Sequence, residues 1–431
     1  MTTPGDYLSQ LNSSIIRLGL GPVRKLLASL QNPQSRYPSI LIGGTNGKGS
    51  IAATTAAILQ AAGYRVGLYT SPHLVDLRER IRVNGDMISP RDLDSLIDEV
   101  REQVGEAVSY FEFLTALAFL YFYRRQVEVA VLEVGLGGRL DATNVVTPVV
   151  SVISNISREH QDYLGKGLAN IAREKGGIIA AGGVCVTAAK QKPVQDILTG
   201  ICRDRQATLY RLGKDMSVRR HGHGTFSYRG IKKNYPQLAC ALKGRHQLEN
   251  TALALAATEL LAARGGLPVS DEAVHRGLEN TRWEGRLELL QSAPQIILDG
   301  GHNPAGITVL SRALREDFSY RRLILVFGVL RDKDFPLMLK KLAPLADRVI
   351  ITKLKTERAV PPSELIELTR CYCAQVEVVA EAGQALRRAL AAATAADLIC
   401  VAGSLYLIGE IKQAYTAGSC SAQPASGTNL D

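Results

Sequence analysis

The sequence predicts an α/β protein: an N-terminal P-loop ATPase domain with a mostly parallel sheet, followed by a smaller C-terminal Rossmann-like α/β domain. Three observations carry this. A glycine-rich loop, Gly43-Gly44-Thr45-Asn46-Gly47-Lys48-Gly49-Ser50, lies between the apolar run Ser39-Ile40-Leu41-Ile42 and an alanine-rich stretch of helical character. Apolar runs with β-branched residues then alternate with helix-length segments, the rhythm of βαβ units. That rhythm restarts near Gln295 after a polar break, so two α/β domains fit better than one continuous sheet.

In the loop, small glycines let backbone N–H groups turn around phosphate oxygens. The following helix offers its positive end, and Lys48 can reach the outer phosphates. The common pattern puts Ser or Thr directly after the lysine; here Gly49 intervenes before Ser50, so the loop is a variant. Residues 50–62 read as the helix, closed by Gly63 at its C′ position. Residues 65–70, 127–134, 149–156 and 184–187 read as further strands, with 113–124 an intervening helix. Residues 205–236, rich in Arg, His, Gly and Tyr, read as an irregular excursion or a small β-hairpin region. The second series comprises 296–298, 323–327, 348–352, 376–379 and 398–401. The domains are therefore set at 1–290 and 291–416, with 417–431 a small, polar, flexible tail.

The 431 residues are 46% hydrophobic with a mean hydropathy of +0.02, ample for packed cores. No apolar stretch reaches the ~20 residues of a membrane span. Residues 1–6 lack a basic region followed by an apolar one, so a cytoplasmic protein with no membrane partner is expected. Seven cysteines without paired spacing read as reduced, packed thiols, and Cys371-x-Cys373 has no second cluster with which to hold zinc. The net charge of +10 favours anionic partners. With basic residues dispersed and only 6% aromatics, a nucleotide or polycarboxylate fits better than nucleic acid.

Glu133 closes the apolar run Ala130-Val131-Leu132, where an unpaired buried carboxylate would be costly. Ligands gather beyond the carboxyl ends of such strands, so Glu133 is either a Mg²⁺ ligand beside the loop or an exposed strand-end acid. Three glycines follow, with Arg139 and Asp141 placed to hold each other or a ligand. His160, just past the strand 149–156, stays open between a metal ligand and a structural histidine. Lys175 by itself reads as a helical surface lysine. In the second half, Asp299-Gly300-Gly301-His302-Asn303-Pro304 has the composition of a ligand-facing turn. Upstream, Arg286 can clamp a phosphate, while Trp283 can be simple packing.

Taken in order, Gly44-Thr45-Asn46-Gly47-Lys48-Gly49-Ser50, Thr70-Ser71-Pro72-His73-Leu74, Phe111-Glu112-Phe113-Leu114-Thr115, Glu133-Val134-Gly135-Leu136-Gly137-Gly138-Arg139-Leu140-Asp141-Ala142-Thr143-Asn144 and the Asp299–Pro304 motif closely resemble the folylpolyglutamate synthases. That group includes bifunctional bacterial dihydrofolate synthases and sits in the Mur ligase superfamily; the resemblance covers roughly residues 10–410. The extra glycine before Ser50 belongs to that family's loop. The resemblance implies an amide ligase: ATP phosphorylates a substrate carboxylate, the amine of L-glutamate attacks the acyl phosphate, and ADP and phosphate leave.

ATP and Mg²⁺ are the implied cofactors. The loop from Gly44 to Ser50, with Asn250, Arg286, Asp299 and His302, matches nucleotide contacts in both domains. Ser50, Ser71, Glu133 and His160 match the metal site, and Lys48, Glu133, His160 and Lys175 carry the implied catalytic roles. Lys175 matches the lysine carbamylated in the superfamily. The folate or dihydropteroate is implied near Ser71, Pro72, His73, Phe111 and Phe113, where an aromatic ring can stack on a flat heterocycle or serve the core. Bifunctional relatives have Leu-Asp-His where this chain has Arg158-Glu159-His160, and that acid is associated with the dihydropteroate reaction. Glu159 is thus a substrate-site candidate with one extra methylene, and polyglutamylation is implied more directly than dihydrofolate synthesis. A monomer without nucleic-acid partners is expected. A cell-wall Mur ligase shares the loop, but the 42 residues before Gly43 are short for its additional sugar-nucleotide domain. A nucleic-acid-dependent P-loop ATPase is the alternative of a different class.

Overall fold

The computed structural model describes residues 3–11, 19–222 and 224–418. The chain divides into two compact units, Met1–Trp283 and Glu284–Asp431. A division at 290/291 would cut through the strand Glu288–Ser292, which pairs into the second sheet, so residues 284–290 group with the second unit. Of the expected tail 417–431, the part from 419 onward lies outside the described residues.

The first unit is built on an eight-stranded sheet of β1 (Ser39–Gly43), β2 (Val66–Tyr69), β3 (Ile81–Val83), β4 (Asp86–Met87), β5 (Val129–Glu133), β6 (Val150–Ile153), β7 (Val184–Thr187) and β8 (Thr208–Arg211). Its spatial order is β4-β3-β2-β5-β1-β6-β7-β8. All pairings are parallel except those of β3 and β4 at one edge. Side chains alternate between faces. Leu41 of β1 with Ala130 and Leu132 of β5 enters one core, together with helices Tyr110–Arg124 and Lys192–Asp204. Ile40, Ile42, Val129 and Val131 enter the other, under helices Lys48–Ala61 and His246–Gly265. Burial on both faces is why these strands are continuous apolar runs.

Helix Tyr110–Arg124 starts at a reciprocal cap: Ser109 Oγ accepts from Glu112 N at 3.3 Å, and Glu112 Oε2 accepts from Ser109 N at 2.8 Å. The excursion after β8 is an antiparallel sheet of β9 (Ser217–Arg220), β10 (Thr225–Arg229) and β11 (Asn234–Ala239). Its Phe226, Tyr228, Tyr235 and Leu238 join the second core. Among the described residues no helix is long and apolar enough to cross a membrane.

The second unit holds a six-stranded sheet of β12 (Glu288–Ser292), β13 (Gln295–Asp299), β14 (Leu323–Phe327), β15 (Arg348–Ile351), β16 (Val376–Val378) and β17 (Leu398–Ala402). The order is β12-β13-β17-β14-β15-β16, parallel except for the β12–β13 pair. Leu325, Phe327, Cys400 and Leu314 lie at the centre of its core.

One close approach fixes the P-loop helix. Helix Asp271–Asn280 meets Lys48–Ala61 at Gly277, where an added Cβ would lie 2.5 Å from the Cα of Ile58. Overpacking of this kind costs about 1–3 kcal/mol. Gly277→Ala is expected to lower the urea midpoint accordingly, and an unchanged midpoint would show that the two helices separate without cost.

Candidate active site

The carboxyl ends of β1, β2, β5 and β6 are parallel neighbours, so the loops after them emerge along one sheet edge, where open α/β sheets bind ligands. Helix Lys48–Ala61 begins two residues earlier than the sequence suggests. Its N-cap is Gly47 at φ 88°, and no side chain caps its first turn. Those amides therefore suit an anion. Gly44, at φ 123°, and Gly47 need both the left-handed backbone and the missing side chain. A Cβ on Gly44 would collide with Ser154 Oγ, and one on Gly47 with Asn250 Oδ1. A Cβ on Gly49 would lie 2.5 Å from the indole of Trp283, which gives the inserted glycine a packing reason.

The loop is clasped from β6. Asn155 Oδ1 accepts from Asn46 N at 3.1 Å, Asn155 Nδ2 donates to Asn46 O at 3.0 Å, and Thr45 N donates to Asn155 O at 2.8 Å. Lys48 Nζ donates to Thr45 O at 3.1 Å. Ser50 is buried and its Oγ accepts from Gln247 Nε2 at 3.3 Å.

Lys175 is not a surface residue. Only 4% exposed, it donates from Nζ to Gly44 O at 2.7 Å, on the loop itself. Burial brings its pKa down to about 7, the nearby Lys48 cation pushes the same way, and Glu159 and Asp141 oppose both. Glu159 is drawn inward, its side chain 8% exposed, with one oxygen 3.7 Å from His160 Nε2. It thus acts electrostatically on Lys175. Glu133 is buried, beside Ile42 in register, and its Oε2 accepts from Ser71 N at 3.1 Å. The structure thereby joins Glu133 with Ser71, and His160 with Glu159. Among the described residues no group of three or more His, Cys, Asp or Glu could hold a metal ion.

Arg139 and Asp141 do not hold each other. Arg139 pairs with Glu174 at 2.8 Å, whereas buried Asp141 accepts from Leu136 N at 2.8 Å and from Thr143 N at 3.0 Å, folding the glycine loop around itself. Burial raises the Asp141 pKa against those hydrogen bonds.

The segment after β2 is held rigidly. Glu79 accepts from the amides of Leu74, Val75 and Asp76, and Arg80 Nε donates to His73 Nδ1 at 2.9 Å. Burial and Arg80 bring the His73 pKa down to about 4, so its ring is neutral near pH 7 with the proton on Nε2. Pro72 is exposed. Phe111 is partly buried, against Gly135 and 6.0 Å from the Tyr69 ring. Phe113, by contrast, is fully buried and packs edge-on to Tyr7 at 5.3 Å. It is a core residue with no face to offer a substrate, a correction to its reading as a stacking residue.

In the second unit, Asp299 ends β13 with both oxygens engaged: Oδ2 accepts from Leu287 N at 3.0 Å and Oδ1 from Gly301 N at 2.9 Å. Arg286 lies across Gly300 and donates to Gly285 O at 3.0 Å. His302 Nδ1 is 2.8 Å from Gly300 O, which in the neutral ring puts the proton on Nδ1. Asp299, Arg286 and His302 are thus brought together at one turn.

Asn155 and Gln247 escape sequence reasoning. Asn155 stands two residues past an apolar strand and Gln247 three residues before Asn250 on one helix face; those positions are the available signals.

Residues 42–258 match the Mur ligase middle domain, and residues 285–405 match the Mur ligase, glutamate ligase domain. Those domains in that order define the chain as a Mur-type ligase. It is 33% identical to the dihydrofolate synthase/folylpolyglutamate synthase of Bacillus subtilis, over 92% of this chain and 95% of that protein. A probable bifunctional folylpolyglutamate synthase/dihydropteroate synthase of Halobacterium salinarum is 37% identical over 95% of this chain, which spans 51% of that longer protein. Escherichia coli FolC, solved in complex with DHPP and ADP, superposes with a TM-score of 0.89 at 30% identity, covering 97% of this chain and 99% of that one. The chain belongs to the folylpolyglutamate synthase/dihydrofolate synthase family.

Lys175 makes a signed prediction. A free lysine titrates near ~10.4, but this one titrates at about 7 in the folded chain. Between those values the unfolded chain holds a proton that the folded chain lacks, so Lys175 makes stability rise with pH from about 7 to about 10. Unfolding free energies across that range are expected to rise more steeply in the wild type than in Lys175→Met. Parallel pH profiles would refute the burial-driven shift.

Proposed function

We propose that this chain is an ATP-dependent amide ligase that adds L-glutamate to tetrahydrofolate, extending a polyglutamate chain, and to dihydropteroate, forming dihydrofolate. The observation that carries the reading is Lys175, buried against Gly44 O beneath the phosphate loop, because a simple NTP switch has no use for a near-neutral amine there. The family membership, and the E. coli FolC structure in complex with DHPP and ADP, support the ligase reading.

The loop amides and Lys48 bind the β- and γ-phosphates. A carboxylate oxygen of the folate attacks the γ-phosphorus and the bond to the β-phosphate oxygen breaks. The glutamate amine then attacks the acyl carbon, phosphate leaves, and the nitrogen sheds its proton. By the family resemblance, Asn250 of the first unit and, separately, Arg286, Asp299 and His302 of the second are the candidate nucleotide contacts. His73 and Phe111 orient the flat heterocycle, with neutral His73 offering an N–H donor.

The residues fit Mg²⁺ brought in with the phosphates. Buried Ser50 Oγ and the Glu133 carboxylate supply hard oxygen donors, with Ser71 and His160 as further candidates. Mg²⁺ screens phosphate charge from the incoming carboxylate when bound. Lys175 suits carbamylation: its neutral amine attacks carbon dioxide, forms an N–C bond and loses a proton. The product anion turns repulsion from Lys48 into attraction.

A polyglutamate-only enzyme is the second reading, favoured by Glu159, whose charge is directed at Lys175. Purified enzyme with ATP, Mg²⁺ and labelled glutamate, offered dihydropteroate or tetrahydrofolate in parallel, separates the two. Incorporation with both is expected; incorporation with tetrahydrofolate alone selects the second reading, and with neither rejects the ligase. Removal of bicarbonate is expected to slow turnover reversibly in the wild type, with Lys175→Ala inactive at any bicarbonate level. Unchanged turnover in both tests would eliminate the carbamate.

A further inference from the structure

Gln247 is 1% exposed in the first turn of helix His246–Gly265, and its two amide atoms have different partners. Oε1 accepts from Asn250 Nδ2 at 2.8 Å, and Nε2 donates to Ser50 Oγ at 3.3 Å. Asn250 is itself seated against Gly47, where no side chain could stand between them. The direction of the chain follows from chemistry. With the Asn250 nitrogen facing Gln247, Gln247 gives its oxygen to Asn250 and its NH₂ group to Ser50.

Ser50 Oγ therefore receives a hydrogen bond on one lone pair, while its second lone pair and its own proton point elsewhere. A serine within a helix otherwise tends to turn its hydroxyl onto a backbone carbonyl of the preceding turn. We infer that Gln247 is a positioning residue that holds the Ser50 hydroxyl with a lone pair presented to the nucleotide-bound cation. This rests on the ligase reading in one respect, that Ser50 is a metal-ligating hydroxyl. Groups that orient a metal ligand from behind are worth about 10–100-fold in metal affinity.

The test is ADP binding by calorimetry, with Mg²⁺ and with chelator, on the wild type, Gln247→Leu and Gln247→Glu. Leucine removes both polar atoms; glutamate keeps the shape and replaces the donor with an acceptor. Both variants are expected to remain folded by circular dichroism and to lose about 10–100-fold of affinity in Mg²⁺, with a much smaller loss in chelator. Equal losses with and without the cation would reduce Gln247 to a structural support of the loop and overturn the inference. Undiminished Mg²⁺-dependent affinity in Gln247→Glu would also overturn it. A wild type that gains nothing from Mg²⁺ would instead reject the metal role of Ser50, and the inference with it.

Discussion

A buried amine on the carbonyl of Gly44 is the constraint around which the first unit is arranged. An ammonium group in that position is expensive, and the cost is met from several directions. Its Nζ takes the loop carbonyl as partner, and Asp141 and Glu159 supply negative potential. The glycine run after β5 makes the approach possible. A side chain on Gly138 would press on Glu174 O at 2.8 Å and on Lys175 Cα at 3.1 Å. That run, which in sequence looks like a ligand loop, serves in the fold to bring helix Leu168–Gly176 against the P-loop.

The central strands could be read from the sequence because they are covered on both faces, and the phosphate loop because its chemistry demands glycines and a lysine in one local segment. What escaped has a common cause. β3, β4 and β12 are short or half-exposed, so they lack an apolar run to reveal them. Asn155 and Gln247 reach the loop from 109 and 197 residues away in the chain, and no local pattern encodes that approach. Lys175 is a similar case: a lysine between Glu174 and Gly176 has the sequence of a surface helix, and only packing reveals its burial. The resemblance to a known family singles out Lys175 where residue patterns do not.

Helix geometry separates the aromatic pair. Phe111 and Phe113 stand two residues apart in helix Tyr110–Arg124, and at about 100° per residue they point to nearly opposite sides. Phe113 faces the packed core with Tyr7, so Phe111 faces the glycine loop and the edge where β2 and β5 end. The pattern of aromatics alone could not say which was which. Adding the core's position decides it.

The same geometry accounts for the variant loop. Moving the serine one place beyond its common position rotates it by about 100° around the helix axis. The vacated position faces the Trp283 indole, where only a glycine fits. Ser50 now points toward the start of helix His246–Gly265, and Gln247 meets it there. The insertion, the single tryptophan and the Gln247–Asn250 pair are therefore one packing solution. A loop with the common spacing would place a side chain against the indole and leave the Gln247 amide without its serine.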